Sequence, residues 1–145
     1  MSASDRFKPV LKVAENREAT AAREFGLSRQ KHQAEEDKLN SLREYHLDYM
    51  QRFKQAASVG INASQLREYQ AFITKLEQAI SEQEKVVQNT QRVSVQMKQQ
   101  WQKTHVRTQS MDKAMNRMKA DERRHQESQD QKMSDELAQR IKRSH

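Results

Sequence analysis

The chain has 145 residues, 32% charged and 34% hydrophobic, with a net charge of +7 and a mean hydropathy of −1.19. Two glycines, one proline and so little apolar mass exclude an ordinary globule with a deep core, which leaves disorder or long helices with a narrow buried stripe. With no cysteine there can be no disulfide, thiolate metal site or cysteine nucleophile.

The opening stretch "MSASDRFKPVLK" lacks the apolar run of a secretory signal. No window approaches the roughly 18 apolar residues of a membrane span, so a cytoplasmic protein is expected. A first helix is predicted over about 4–57. Ser4 or a neighbour caps it, and Pro9 is tolerated in its opening turn. Phe7, Leu11, Ala14, Glu18, Ala21, Phe25, Ser28, His32, Glu35, Leu39, Leu42, His46, Tyr49, Phe53 and Ala56 follow the alternating three- and four-residue step of a coiled-coil seam. Glu18, His32 and Glu35 loosen its middle. Gly26 costs about 1 kcal/mol relative to alanine without ending the helix.

The turn falls at 58–63, inside "ASVGINASQ". Gly60 can take positive φ as a helix C-cap, and Asn62 or Ser64 can start the next helix. The second helix is predicted over about 64–142. Its seam is Leu66, Tyr69, Ile73, Leu76, Ile80, Gln83, Val87, Thr90, Ser94, Met97, Trp101, Thr104, Thr108, Met111, Met115 and Met118. None of these is charged, in a chain that is one-third charged.

A short turn makes consecutive helices antiparallel neighbours. The expected fold is therefore all-α, a single antiparallel coiled-coil hairpin of two long helices with the second overhanging. Leu42 should meet Leu76, Tyr49 should meet Tyr69, Leu39 should meet Ile80, and Phe25 should meet Ser94. The seam fades at Met118. Residues 119–145 then read as an overhang, frayed or disordered alone, whose stripe of Met133, Leu137 and Ile141 needs a partner.

The stretch "REYQAFITKLEQAI", residues 67–80, is more apolar than a two-helix seam requires. Phe72 and Ala79 lie about 80° from the seam direction, with Leu76 between. Tyr45 is off the heptad at the same level of the first helix. Leu42, Tyr45, Tyr49, Phe72, Leu76 and Ala79 can form one apolar patch across both helices, which would mark a binding site. The alternative is that Tyr45 and Phe72 cap the seam edges and pack on each other.

The charge is uneven. Residues 1–34 and 84–118, which antiparallel pairing places side by side, carry fourteen Lys or Arg against six acids, a net +8. The turn end is near neutral. Such a basic rod end can be steered to an acidic partner, or it can be a solvated face. His32, His46, His105, His125 and His145 show no metal-ligand spacing, and there is no phosphate loop, nucleophile triad or cavity-building pattern. The expectation is no enzyme, no metal and no cofactor. A nucleic-acid-binding coiled coil competes, because Trp101 sits in the basic run and could stack on a base; its heptad position favours seam packing instead. A generic scaffold coiled coil is a further alternative, which oligomeric state would discriminate.

The segment "YQAFITKLEQAI" after a glycine-containing turn, preceded by "LREYHLDY", resembles the flagellar type III export protein FliJ family. The similarity spans nearly the whole chain and includes "ATAAREFG", Trp101 and "MSDELAQR". The resemblance implies an antiparallel coiled coil like the central stalk of rotary ATPases. It implies a terminal end that enters the hexameric export ATPase and a turn-proximal patch that contacts the large membrane protein of the export gate. It also implies a link to the cycling of export chaperones, with the protein held peripherally at the inner membrane of the flagellar base. Leu42, Tyr45, Tyr49, Phe72, Leu76 and Ala79 match the implied gate positions. Gln83 stands at a further contact position where other members carry a different residue. For the ATPase the basic end offers Arg6, Lys8, Lys12, Lys103, Arg107, Lys113 and Arg117, assisted by Met133, Leu137 and Ile141. No nucleic acid is expected.

Overall fold

The computed structural model describes residues 1–144, so His145, named among the histidines above, lies outside the described residues. Helix α1 spans Ala3–Val59 and α2 spans Ala63–Arg143. The described residues contain no strand, and the two long helices pack against each other.

The seam accounts for that packing. Every seam position predicted on α1 is buried or half-buried, and so is every one on α2 except Leu66, in the first turns after the connection. The apolar core is thin: Ala14, Leu39, Leu76 and Met115 are the buried hydrophobic residues among those described. Burial is thus spread along the interface rather than concentrated.

The connection is built as its residues allow. Gly60 has φ 107°, a conformation that costs residues with a Cβ, and its N–H donates to Ala56 O at 3.1 Å. Asn62 is the N-cap of α2. Its Oδ1 accepts from Gln65 N–H at 2.8 Å, and Gln65 Oε1 accepts from Asn62 N–H at 3.1 Å, a reciprocal capping box. At the start of α1 the cap is Ser2, whose Oγ accepts from Asp5 N–H at 3.2 Å. The cap is thus Ser4's neighbour, while Ser4 itself lies inside the helix and bonds elsewhere. Pro9 also differs from expectation: with α1 starting at Ala3 it stands in the second turn, where it removes an N–H that would otherwise bond Asp5 O.

The chain divides into two compact units. The turn-proximal unit is Ala22–Gln100; the terminal unit joins Met1–Ala21 to the described residues from Trp101 onward. In the turn-proximal unit two pairs of polar seam positions are matched across the helices. His32 Nδ1 lies 3.0 Å from Thr90 Oγ1, and Gln83 Nε2 donates to Glu35 O at 3.0 Å and Glu35 Oε2 at 2.6 Å. His46 Nε2 lies 3.4 Å from Glu77 Oε1 but without hydrogen-bond geometry. In the terminal unit Glu18 Oε1 meets His105 Nδ1 at 2.6 Å, and Thr108 Oγ1 lies 3.3 Å from Ala14 O. The seam acids thus have partners across the interface, which reconciles Glu18 and Glu35 with continuous packing.

Gly26 lies inside α1 without positive φ, and a Cβ built on it meets nothing within 4 Å. Gly26→Ala should therefore stabilise the protein by about 1 kcal/mol, the helix-propensity difference, without a steric cost. Urea unfolding would show this as a higher midpoint at unchanged m-value. A lower midpoint would show that the open space beside Gly26 is needed.

Candidate partner-binding surfaces

The turn-proximal unit assembles an aromatic cluster from both helices. Tyr49 and Phe72 rings have centroids 4.5 Å apart, Tyr45 meets Phe72 edge-on at 5.9 Å, and Tyr45 lies 6.3 Å from Tyr49. Tyr69 extends the cluster, 5.4 Å from Tyr49 and 5.4 Å from Phe53. Tyr49 does face Tyr69, as the antiparallel register requires. Leu76 is buried, at 7% exposed, whereas Tyr45 remains 46% exposed. Leu42, Tyr49, Phe72 and Ala79 are half-buried. Tyr45 and Phe72 therefore pack on each other, as the alternative reading expects, while Tyr45 keeps nearly half of its surface exposed. Leu42 and Tyr45 also line an open groove of about 640 Å³ with Asp37, Lys38, Ser41 and Gln83.

The terminal unit carries the remaining candidates. Arg6, Lys8, Lys12, Lys103, Arg107, Lys113 and Arg117 are all exposed. Lys8 lies 3.8 Å from Asp5, while Arg6, Lys103, Arg107 and Arg117 have no ion-pair partner among the described residues. Trp101 is half-buried and stacks on His105 at 5.3 Å and 19° between planes, so a ring face is covered from within the unit. Met133, Leu137 and Ile141 are 62%, 56% and 62% exposed, in a helical segment whose side chains are all exposed from Arg123 to Arg143. Among the described residues no group of His, Asp and Glu gathers as a metal site, and no helix is long and apolar enough to cross a membrane.

The sequence model of one protein family, described as "Flagellar FliJ protein", matches residues 3–145. The chain belongs to the FliJ family. It is thereby a component of the flagellar export apparatus. No curated protein and no solved structure matches it.

Within this FliJ chain, one contact in the terminal unit was not foreseen from sequence. Glu122 reaches the start of α1: Ser4 N–H donates to Glu122 Oε1 at 2.9 Å and Ser4 Oγ donates to Oε2 at 2.7 Å. The first N–H groups of a helix have no partner within it, so an acid from the other helix fits there in both hydrogen bonding and dipole sense. Contact between the helices therefore runs past Met118, where the apolar seam ends, because a glutamate side chain is long enough to bridge. A signal for this was present in "KADERR", but periodicity alone does not report it.

The Ser4 amide, then the Ser4 hydroxyl, hold the Glu122 carboxyl below the usual carboxylate range. A depressed pKa contributes stability that is present above the unfolded-state value and lost as pH falls through the folded one. Acidification through and below the carboxylate range should therefore release the start of α1. The Ser4 amide resonance should titrate in NMR spectra, and Glu122→Gln should abolish that titration. A pH-independent Ser4 amide in the unaltered protein would refute the contact. In the turn-proximal unit the Glu35 carboxyl is likewise lowered, first by the Gln83 amide and then by Lys38.

Proposed function

We propose that this FliJ protein is a stalk-like coiled coil that binds the hexameric export ATPase through its terminal unit and the membrane export gate through its turn-proximal patch. On this reading it promotes assembly and activity of the ATPase ring, couples the ring to the gate, and takes part in cycling export chaperones. It works in the cytoplasm, held peripherally at the inner membrane of the flagellar base. The observation that carries the reading is the Tyr45–Tyr49–Phe72 cluster: three aromatic rings from two helices, with Tyr45 half exposed, form the kind of anchor that dominates protein interfaces. The exposed cations of the terminal unit support the second contact, since a basic surface accelerates docking into an acidic site.

The ATPase contact can be tested by salt. Stimulation of the purified export ATPase should fall as ionic strength rises past the regime where surface charges interact. Lys103→Glu with Arg107→Glu should lower it at least about tenfold at low salt. Stimulation that is flat across the salt series, and unchanged in the double variant, would contradict charge steering.

A further inference from the structure

The net positive charge of the terminal unit, as far as Met118, is concentrated on one side. Let the seam residues Phe7, Ala14, Thr104 and Met111 be d positions and Leu11, Thr108 and Met115 be a positions of the heptad. Reversing one helix of a pair brings the g positions of both, and the c positions behind them, to one flank, with e and b on the other. The turn-proximal unit displays both pairings: Arg43 meets Glu84, e to e, at 3.3 Å, and Tyr45 meets Phe72, g to g.

Applied to the terminal unit as far as Met118, this register sorts the charges. The c/g flank holds Arg6, Arg17, Lys103, Arg107 and Arg117 and no acid. The e/b flank holds Lys8 and Lys12 against Asp5, Glu15 and Asp112. Lys113 stands on the outer face. One flank is strongly basic and the other is nearly neutral.

The basic flank also has an apolar middle. Val10 and Val13 occupy its g and c positions on α1 and are 48% and 49% exposed. The Thr108–Ala14 contact sets them level with Ser110 and the half-buried Ala114 on α2. The Glu18–His105 contact sets Arg17 level with Lys103 and Arg107 at one end. The Ser4–Glu122 contact brings Arg6 level with Arg117 at the other. From Lys103 to Arg117 the flank is about 21 Å long at 1.5 Å per residue.

We propose that this flank docks an acidic amphipathic helix of a partner protein. The partner's apolar residues would lie on Val10, Val13 and Ala114, and its carboxylates would meet the arginines at either end. An apolar centre within a charged rim is the anatomy of a protein interface. A polyanion such as a nucleic acid would take the arginines but leave two half-exposed valines facing phosphates. Four of the five cations are arginine, whose planar fork pairs with carboxylates in two-point contacts. The inference deepens the reading of the terminal unit as a partner-binding end, and rests on that reading only for which natural protein supplies the helix.

The test is a fluorescence-anisotropy titration of the full chain with a synthetic helix of about 20 residues, long enough to span the flank. The peptide carries leucines at three- and four-residue spacing in its centre and glutamates in both terminal turns. It should bind, and a scrambled peptide of the same composition should not. Val13→Asp, and separately the pair Arg17→Glu with Arg107→Glu, should each weaken it at least about tenfold. The opposite-flank pair Gln109→Glu with Asn116→Glu should change it less than about twofold. All these positions are exposed, and circular dichroism should show unchanged helix content. No binding, equal binding of the scrambled peptide, equal effects on the two flanks, or indifference to Val13→Asp would overturn the proposal. So would tighter binding of a DNA duplex or of phosphatidylglycerol vesicles that Val13→Asp leaves intact. The peptide readout does not involve the ATPase, so loss of ATPase stimulation and failure of the flank are separate results.

Discussion

Phe72→Asp should strongly weaken binding to the membrane export gate while leaving ATPase stimulation intact. Phe72 touches both Tyr45 and Tyr49, so a carboxylate there breaks the cluster at its centre and places charge where an apolar partner surface would dock. The expected loss is at least about 2 kcal/mol, the size of a hot-spot truncation, or roughly thirty-fold in Kd. Phe72 is half-buried, and its loss could also loosen the helix pair. Tyr45→Asp separates the two effects, because Tyr45 is 46% exposed and its replacement costs little folding energy. Titration of the purified cytoplasmic part of the gate protein with both variants decides. Gate binding at full strength in both would exclude the patch as the contact.

Removal of the terminal stripe should have the opposite selectivity. Truncation after Gln126 deletes Met133, Leu137 and Ile141 but keeps Glu122 on Ser4, so the pairing of α1 and α2 in this unit is retained. ATPase binding should fall by about tenfold or more, since three large apolar side chains, each worth about 1.5–3 kcal/mol when fully buried, would lose their contacts. Gate binding should be unchanged. Leu137→Asp in the full chain should reproduce much of the loss. Truncation after Met118 removes Glu122 as well and should add a stability defect. ATPase binding that survives truncation after Gln126 would show that the exposed stripe serves another partner.

The fold was largely legible because a coiled-coil seam is a periodic signal. A seam sustained along both helices can tolerate Glu18 or His32 so long as the rest agree, and the structure half-buries these two beside His105 and Thr90. Asn62 and Gly60 were legible for a different reason: few residues can cap a helix or take positive φ. Ser2, Pro9 and Glu122 were read less well. Each depends on where α1 begins, and periodicity locates a helix end only to within a turn. The candidate surfaces were partly legible. Phe72 and Tyr45 showed as apolar residues off the seam, and the geometry adds that they meet ring to ring. The charge surplus showed in composition, but its restriction to one flank of the terminal unit required both the register and the reversal of one helix.

The distance between two introduced labels in the turn-proximal unit tests the central claim most directly, that the chain reverses at Gly60 and brings the helices together. The protein has no cysteine, so Gln30→Cys and Gln91→Cys can carry spin labels without background. Both positions are exposed and lie nearly level across the pair. Packed helices hold their axes roughly 10 Å apart, so electron–electron double resonance should give a single short distance set by that spacing and the label arms. The same 61-residue separation along one uninterrupted helix would give about 90 Å. A distance in that range would contradict the reversal and, with it, the shared aromatic patch.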